Sequence, residues 1–323
     1  MVFVNAVRLL LLSLCISAWS QGTLAAAIPG RRIESGNPSL DDTIYFHGDW
    51  RSSLLTCWTD PLCIRVLTTA HGGFWNLTFP YDSLPAFEKA YAYGADAVKG
   101  DFRVSLDNIG MVMHSSPILL YESLNCHGKY VEQMTAEECK ACQMEFTSFH
   151  FISVPDLLLW SDEKIVVMLC VKLDSDIPRA ISTLIELNAT QRAFLEVSLE
   201  ALTAIRDQKL FGWDSVFYVI NLGSFEEFNQ FMSSPADLQV RCFLVELNNW
   251  EDWGNERVAE AVNSSLALGL KAFAKSRDSY LGATVANHLH VFAQRIGVAY
   301  TYNLPNAVTA RKIVNVKNGV YPP

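Results

Sequence analysis

Short apolar runs alternate along the chain with stretches whose apolar positions recur every three or four residues. Apolar runs bounded by Gly, Asn, Asp or Ser read as strands, and the amphipathic stretches between them as helices. The runs fall at 66–70, 97–102, 110–114, 165–172, 215–221, 240–246, 268–273 and 297–302. Helical periodicity covers 83–93, 178–207, 225–232, 255–265, 284–295 and 307–312. Eight strands alternating with helices predict an α/β fold, a (β/α)8 barrel. The barrel domain is assigned to 64–323, behind a lead-in at 28–63 that covers its bottom or side.

In such a barrel the C-terminal ends of the strands form one rim, where reacting groups collect. His71 follows the first run, Lys99 and Asp101 alternate on one face of the second, and His114 ends the third. Each residue alone has a plainer explanation: a strand-end histidine that hydrogen-bonds its neighbours, or a simple ion pair. Trp250 and Trp253 follow the sixth run and read as core filler or as a substrate platform on the rim.

The first 27 residues pattern differently. Arg8, a short apolar core at 9–19 and small residues at 25–27 read as a secretory signal peptide, too short for a membrane-spanning helix. No transmembrane anchor is expected, and the chain reads as secreted. Arg31-Arg32 reads as two solvated charges or a processing site. Cysteine usage agrees with an oxidising compartment. Cys57 and Cys63 enclose a turn-like loop suited to a local disulfide. Among Cys126, Cys139 and Cys142 one bond is expected, with Cys126–Cys139 preferred. Cys170 and Cys242 sit inside apolar runs and read as buried thiols. Asn76-Leu77-Thr78, Asn188-Ala189-Thr190 and Asn263-Ser264-Ser265 are glycosylation sequons, so these asparagines are expected at the surface. A net charge of −9 argues against nucleic acid and anionic membrane as main partners.

The order of motifs around His71 is more specific than any one residue. The chain reads His71-Gly72-Gly73, Pro80-Tyr81-Asp82-Ser83, Gly94-Ala95-Asp96, Lys99-Gly100-Asp101 and His114-Ser115. His71 and Asp101 are 30 positions apart, and His71 and His114 are 43 apart. This order resembles the glycerophosphodiester phosphodiesterases and, more distantly, the sphingomyelinase D-like toxins of the same barrel superfamily. Their pattern is His-Arg-Gly, Pro-Glu-Asn-Thr/Ser, Gly-Ala-Asp, Glu-x-Asp and a strand ending in His-Asp. Met168-Leu169-Cys170-Val171-Lys172 is similar to the family's Ile-Glu-Ile-Lys, and Tyr300-Thr301-Tyr302-Asn303 to its Trp-Thr-Val-Asn. Asn318-Gly319-Val320-Tyr321-Pro322 resembles its closing motif.

The resemblance implies a phospholipase C-like TIM barrel and cleavage of a small phosphodiester or lysophospholipid. His71 and His114 would be the acid–base pair. It also implies a divalent metal, Mg or Ca, on the Glu-x-Asp pair and a Glu of the fourth strand. Those three places hold Lys99, Asp101 and Cys170, so only Asp101 survives as a metal ligand by family position. The Arg after the first His is Gly72, and the Glu before Asn is Tyr81. An ammonium and a thiol are poor company for a hard cation. Two readings follow. In one, Lys99 and Lys172 hold the phosphate in place of the metal, and Asp101 orients a histidine or Lys99. In the other, the chain is a pseudoenzyme that binds a phosphodiester or glycan. Zn on His71, Asp101, Cys170 and His114 is a further option by ligand type alone.

Overall fold

The computed structural model describes residues 57–58, 63–239, 241–275 and 283–319. The stretch read as a signal peptide, nearly all of the lead-in, and Val320, Tyr321 and Pro322 lie outside the described residues. Ten strands alternate with helices. They are β1 (Leu67–His71), β2 (Ala97–Val104), β3 (Gly110–Val112), β4 (Ile152–Ser153), β5 (Val166–Val171), β6 (Ala193–Ser198), β7 (Phe217–Leu222), β8 (Cys242–Leu247), β9 (Lys271–Lys275) and β10 (Val298–Thr301).

Eight of them close a parallel barrel in the order β1-β2-β5-β6-β7-β8-β9-β10, with β10 pairing back onto β1. Alternation along each strand builds two apolar layers. Leu67, Ala97, Val166, Met168, Phe194, Val219, Leu244, Phe273 and Val298 fill the interior. Trp58 packs with this interior layer, its ring 6.1 Å from that of Phe194. Intervening positions such as Val98, Phe102, Leu169 and Leu195 face the helices.

Serine caps set the helix starts. Ser83 accepts from the Ala86 amide at the head of α1 (Leu84–Ala92), and Ser198 from that of Ala201 where β6 runs into its helix. The last helix of the chain, Leu304–Lys317, ties the barrel shut. Its buried Arg311 pairs with Asp96, and Asn315 bonds both backbone groups of Val66.

Two expectations are corrected. The run at 110–114 is not a barrel strand. Only five residues separate β2 from β3, and a parallel crossover needs a dozen or more. The chain instead turns back at Asn108, φ 61°, and β3 pairs antiparallel with β2, Phe102 opposite Val112. An excursion over 105–153 follows, with its own core of Met111, Met113, Ile118, Val131, Met134 and Phe151. The missing barrel strand is β6, inside the stretch read as one helix over 178–207. A turn at Asn188, φ 50°, ends a helix at Ile177–Glu186, and Ser198 caps a new one at Leu199–Asp207. The expected count of eight strands survives because the two errors offset each other.

Cys57–Cys63 is bonded as expected. In the excursion the bond is Cys126–Cys142, not Cys126–Cys139. Cys142, past the end of the helix Ala136–Lys140, bonds Cys126 within the excursion core, and Cys139 of the helix is buried in the same core as a thiol. Cys139, Cys170 and Cys242 are free thiols.

Candidate active site

The strand ends bring His71, Asp101, Lys172 and His114 to one mouth. His71 is the last residue of β1, and its backbone lies in register with Lys99 of β2. Gly72 turns the chain away with φ +65°, and Gly73 follows with φ +83°. A side chain at 72 would collide with the Tyr81 ring, whose nearest atom lies 2.1 Å from where its Cβ would stand. The two departures from the family pattern are therefore one event in space: the tyrosine ring fills the room that glycine leaves.

The Tyr81 ring stands against both imidazoles, 5.5 Å from His71 and 5.8 Å from His114. Its hydroxyl donates to Asp101 Oδ2 at 3.1 Å. Tyr300 and Tyr302 pack their rings 4.3 Å from the His71 ring. The buried His71 Nδ1 has no hydrogen-bond partner. Burial, then the ammonium groups of Lys99, Lys172 and Lys275, hold the His71 pKa well below the ordinary imidazole value, so the ring is neutral.

Asp101 is fully buried and takes Lys172 Nζ at 2.8 Å on Oδ1. Burial alone would raise its carboxyl, but Lys172 and Lys99 outweigh it and hold the group ionised. His114 Nε2 lies 3.9 Å from Asp101 Oδ2, and its Nδ1 bonds Ser115 Oγ at 2.9 Å. Unlike Asp101, the His114 side chain is 41% exposed. Asp82 Oδ2 accepts the Asp101 amide at 3.2 Å, and burial beside Asp101 pushes its carboxyl well above the usual range. Asp82 thus stands where the family pattern has an amide.

The two lysines differ. Lys172 is part-exposed at the mouth, whereas Lys99 is 4% exposed and points into the barrel. Its ammonium pairs with Glu196 Oε2 at 2.7 Å and lies 4.6 Å over the Tyr300 ring. Burial opposes the charge, but the acids around it, Glu196 and Asp101 among them, hold the lysine well above its ordinary value. Lys99 is thus an internal cation and not a group at the open mouth. Glu196 and Glu246 escaped the sequence reading. Glu196 sits on the unrecognised strand β6. Each is a single acid in an apolar run, a signal that becomes visible once the run is read as a strand.

The family's metal does not fit this donor set. Asp101 is already occupied by Lys172 and Tyr81, and Lys99 brings a positive charge into the ligand positions. Burial pushes the Cys170 thiol far up, keeping it neutral. Among the described residues no three His, Cys, Asp or Glu are grouped to hold a metal ion, and the zinc set of His71, Asp101, Cys170 and His114 does not form one. Trp250 and Trp253 are buried in the core, Trp250 Nε1 donating to the Lys275 carbonyl at 2.9 Å, and offer no platform. Asn76, Asn188 and Asn263 are exposed, Asn76 in the loop that follows His71.

A closed parallel barrel thus gathers two imidazoles, a carboxylate and an ammonium at the C-terminal ends of its strands. The model of the glycerophosphoryl diester phosphodiesterase family matches residues 76–211. A glycerophosphoryl diester phosphodiesterase from Parabacteroides distasonis superposes with TM-score 0.65 at 14% identity, covering 81% of this chain and 92% of that one. The enzyme from Thermotoga maritima gives 0.56 at 18% identity, covering 76% and 98%. An Oleispira antarctica phosphodiesterase, solved with the product sn-glycerol-3-phosphate, gives 0.59 at 14%, covering 78% and 99%. At such identities the likeness establishes the barrel. No curated protein matches the chain by sequence.

Proposed function

We propose that this chain cleaves a small phosphodiester, a glycerophosphodiester or the headgroup ester of a lysophospholipid, by the acid–base chemistry of His71 and His114. Lysine ammonium stands in for the divalent cation. One observation carries the reading: a neutral and a solvent-facing imidazole flank the same tyrosine ring at the barrel mouth. His71 takes the proton from the attacking oxygen, of water or of the substrate's own hydroxyl, as a new P–O bond forms. His114 delivers a proton to the oxygen that leaves as the old P–O bond breaks. Water yields a phosphate monoester and an alcohol; an internal hydroxyl yields a cyclic phosphate and an alcohol. Lys172 offers its ammonium to the non-bridging oxygens. Asp101 holds Lys172 and faces His114. Lys99, held by Glu196, supplies fixed positive charge from below.

The chain acts outside the cell, as the leader-like residues 1–27, two disulfides and three exposed sequon asparagines support. A second reading, a pseudoenzyme that binds without turnover, draws on Tyr81, whose ring occupies space between the imidazoles. Hydrolysis of glycerophosphocholine separates the two. His71→Ala and His114→Ala should each lower kcat/KM about 10²–10⁴-fold. Binding with no turnover in the unaltered chain would favour the pseudoenzyme.

A further inference from the structure

Both ammonium groups invoked above are already matched by a carboxylate. Lys172 Nζ lies 2.8 Å from Asp101 Oδ1, and Lys99 Nζ lies 2.7 Å from Glu196 Oε2. A paired cation offers an incoming anion little net charge, because its carboxylate repels what the ammonium attracts. A phosphodiester is a monoanion at neutral pH, so a cation that the fold has not neutralised is worth more to it. Lys275 is such a cation, with no ion pair among the described residues. It ends β9, in register with Tyr300 of β10. Phe273, two residues earlier, belongs to the interior layer, and Ala274 faces the helices. Alternation therefore turns the half-buried Lys275 inward, at the end of the barrel where His71 stands.

Trp250 fixes the end of β9 by donating Nε1 to the Lys275 carbonyl at 2.9 Å. Glu246, on the neighbouring strand, feels the Lys275 charge but does not cancel it. Burial and Glu196 push that carboxyl up to about 8, so it is protonated at neutral pH. On β8, β10 and β1, the strands around β9, three buried polar atoms have no hydrogen-bond partner: Glu246 Oε2, Tyr300 Oη and His71 Nδ1. This side of the mouth thus presents a charge and hydrogen-bonding groups that the fold itself leaves unused. Lys172 follows β5, and β5 and β9 lie four strands apart in the ring of eight, on opposite sides of the barrel. We infer that Lys275 is an anion-binding residue of the mouth, holding a non-bridging oxygen of a phosphodiester across from Lys172. The inference rests on the proposed phosphodiesterase reading and adds a binding residue to it.

Two substitutions test it: Lys275→Met removes the charge and keeps the stem, and Lys275→Arg keeps the charge. Binding of dimethyl phosphate, a minimal phosphodiester monoanion, is followed by NMR titration of the full chain. Glycerophosphocholine turnover is measured alongside. Lys275→Met should weaken dimethyl phosphate binding about tenfold or more, and should raise KM for glycerophosphocholine more than it lowers kcat. Lys275→Arg should bind dimethyl phosphate within about threefold of the parent. No binding by the parent, or equal binding by the parent and Lys275→Met, would overturn the inference. Equal losses in both variants would mark a packing role and would overturn it too. Dimethyl phosphate bound by the parent and lost in Lys275→Met, with no turnover of glycerophosphocholine, would uphold the anion seat and sink the catalytic reading instead.

Discussion

His71 and His114 are carried by two regions held in different ways. His71 ends a barrel strand paired on both sides, with tyrosine rings against its imidazole and the carboxylate–lysine pair Glu196–Lys99 beneath. His114 follows a three-residue antiparallel strand of the excursion, where a disulfide and the Glu122 carboxylate, which accepts the Ser115 amide, do the holding. The barrel buries its charges, Lys99, Glu196 and Glu246 among them, whereas the excursion leaves the His114 imidazole part-exposed. His71 is thus desolvated by the rings and strands of the barrel, while His114 stands part-exposed on the excursion.

The largest expected effect breaks the barrel side. Lys99→Met would leave Glu196 buried without its partner, and should lower stability by about 3–5 kcal/mol in denaturant titration. A loss below about 1 kcal/mol would show that Lys99 is not the interior's countercharge. Next, Cys126→Ser with Cys142→Ser should cost about 3 kcal/mol, the order expected for a loop of this length. The loss should be confined to the excursion, with hydrogen exchange rising over 119–149 and unchanged in the barrel strands. Exchange rising equally in β5 to β8 would erase the distinction between the regions.

A smaller effect sharpens it. Burial, then Glu196, pushes the Glu246 carboxyl up to about 8 against the partial relief of Lys99 and Lys275. The folded state therefore binds the proton more tightly than the unfolded chain. The stability this contributes is present below the ordinary value of 4.5 and is lost as pH rises through about 8. Glu246→Gln removes that loss. The variant should gain on the parent by up to about 1 kcal/mol per pH unit between pH 5 and 8 and no further above it. A difference that stays flat with pH would mean that the carboxyl is ionised throughout.

Much of the barrel was legible in the sequence, because strand runs such as 97–102 and 165–172 are short, apolar and bounded by turn residues. Membership was harder. The seven-residue gap between the runs at 97–102 and 110–114 already excluded a parallel crossover, and the thirty residues read as one helix at 178–207 hid β6. With β6 went Glu196, the partner that turns Lys99 inward. That His71, Asp101, Lys172 and His114 come to one mouth was legible through motif order, since each lies at or just past a strand end. The place of Tyr81 was not, because nothing local announces that a ring at 81 fills the space above Gly72. Burial depth is likewise invisible along the chain: Lys99 and Lys172 look alike in sequence and face opposite ways.

The central claim is that lysine ammonium has taken over from a divalent cation at a mouth flanked by two imidazoles. Hydrolysis of glycerophosphocholine by chelator-treated chain, with Mg²⁺ or Ca²⁺ then restored, tests it most directly. The account predicts turnover that is unaffected by chelator and by either cation, and that falls about 10²-fold or more in Lys172→Met. Activity abolished by chelator and restored by cation would contradict it.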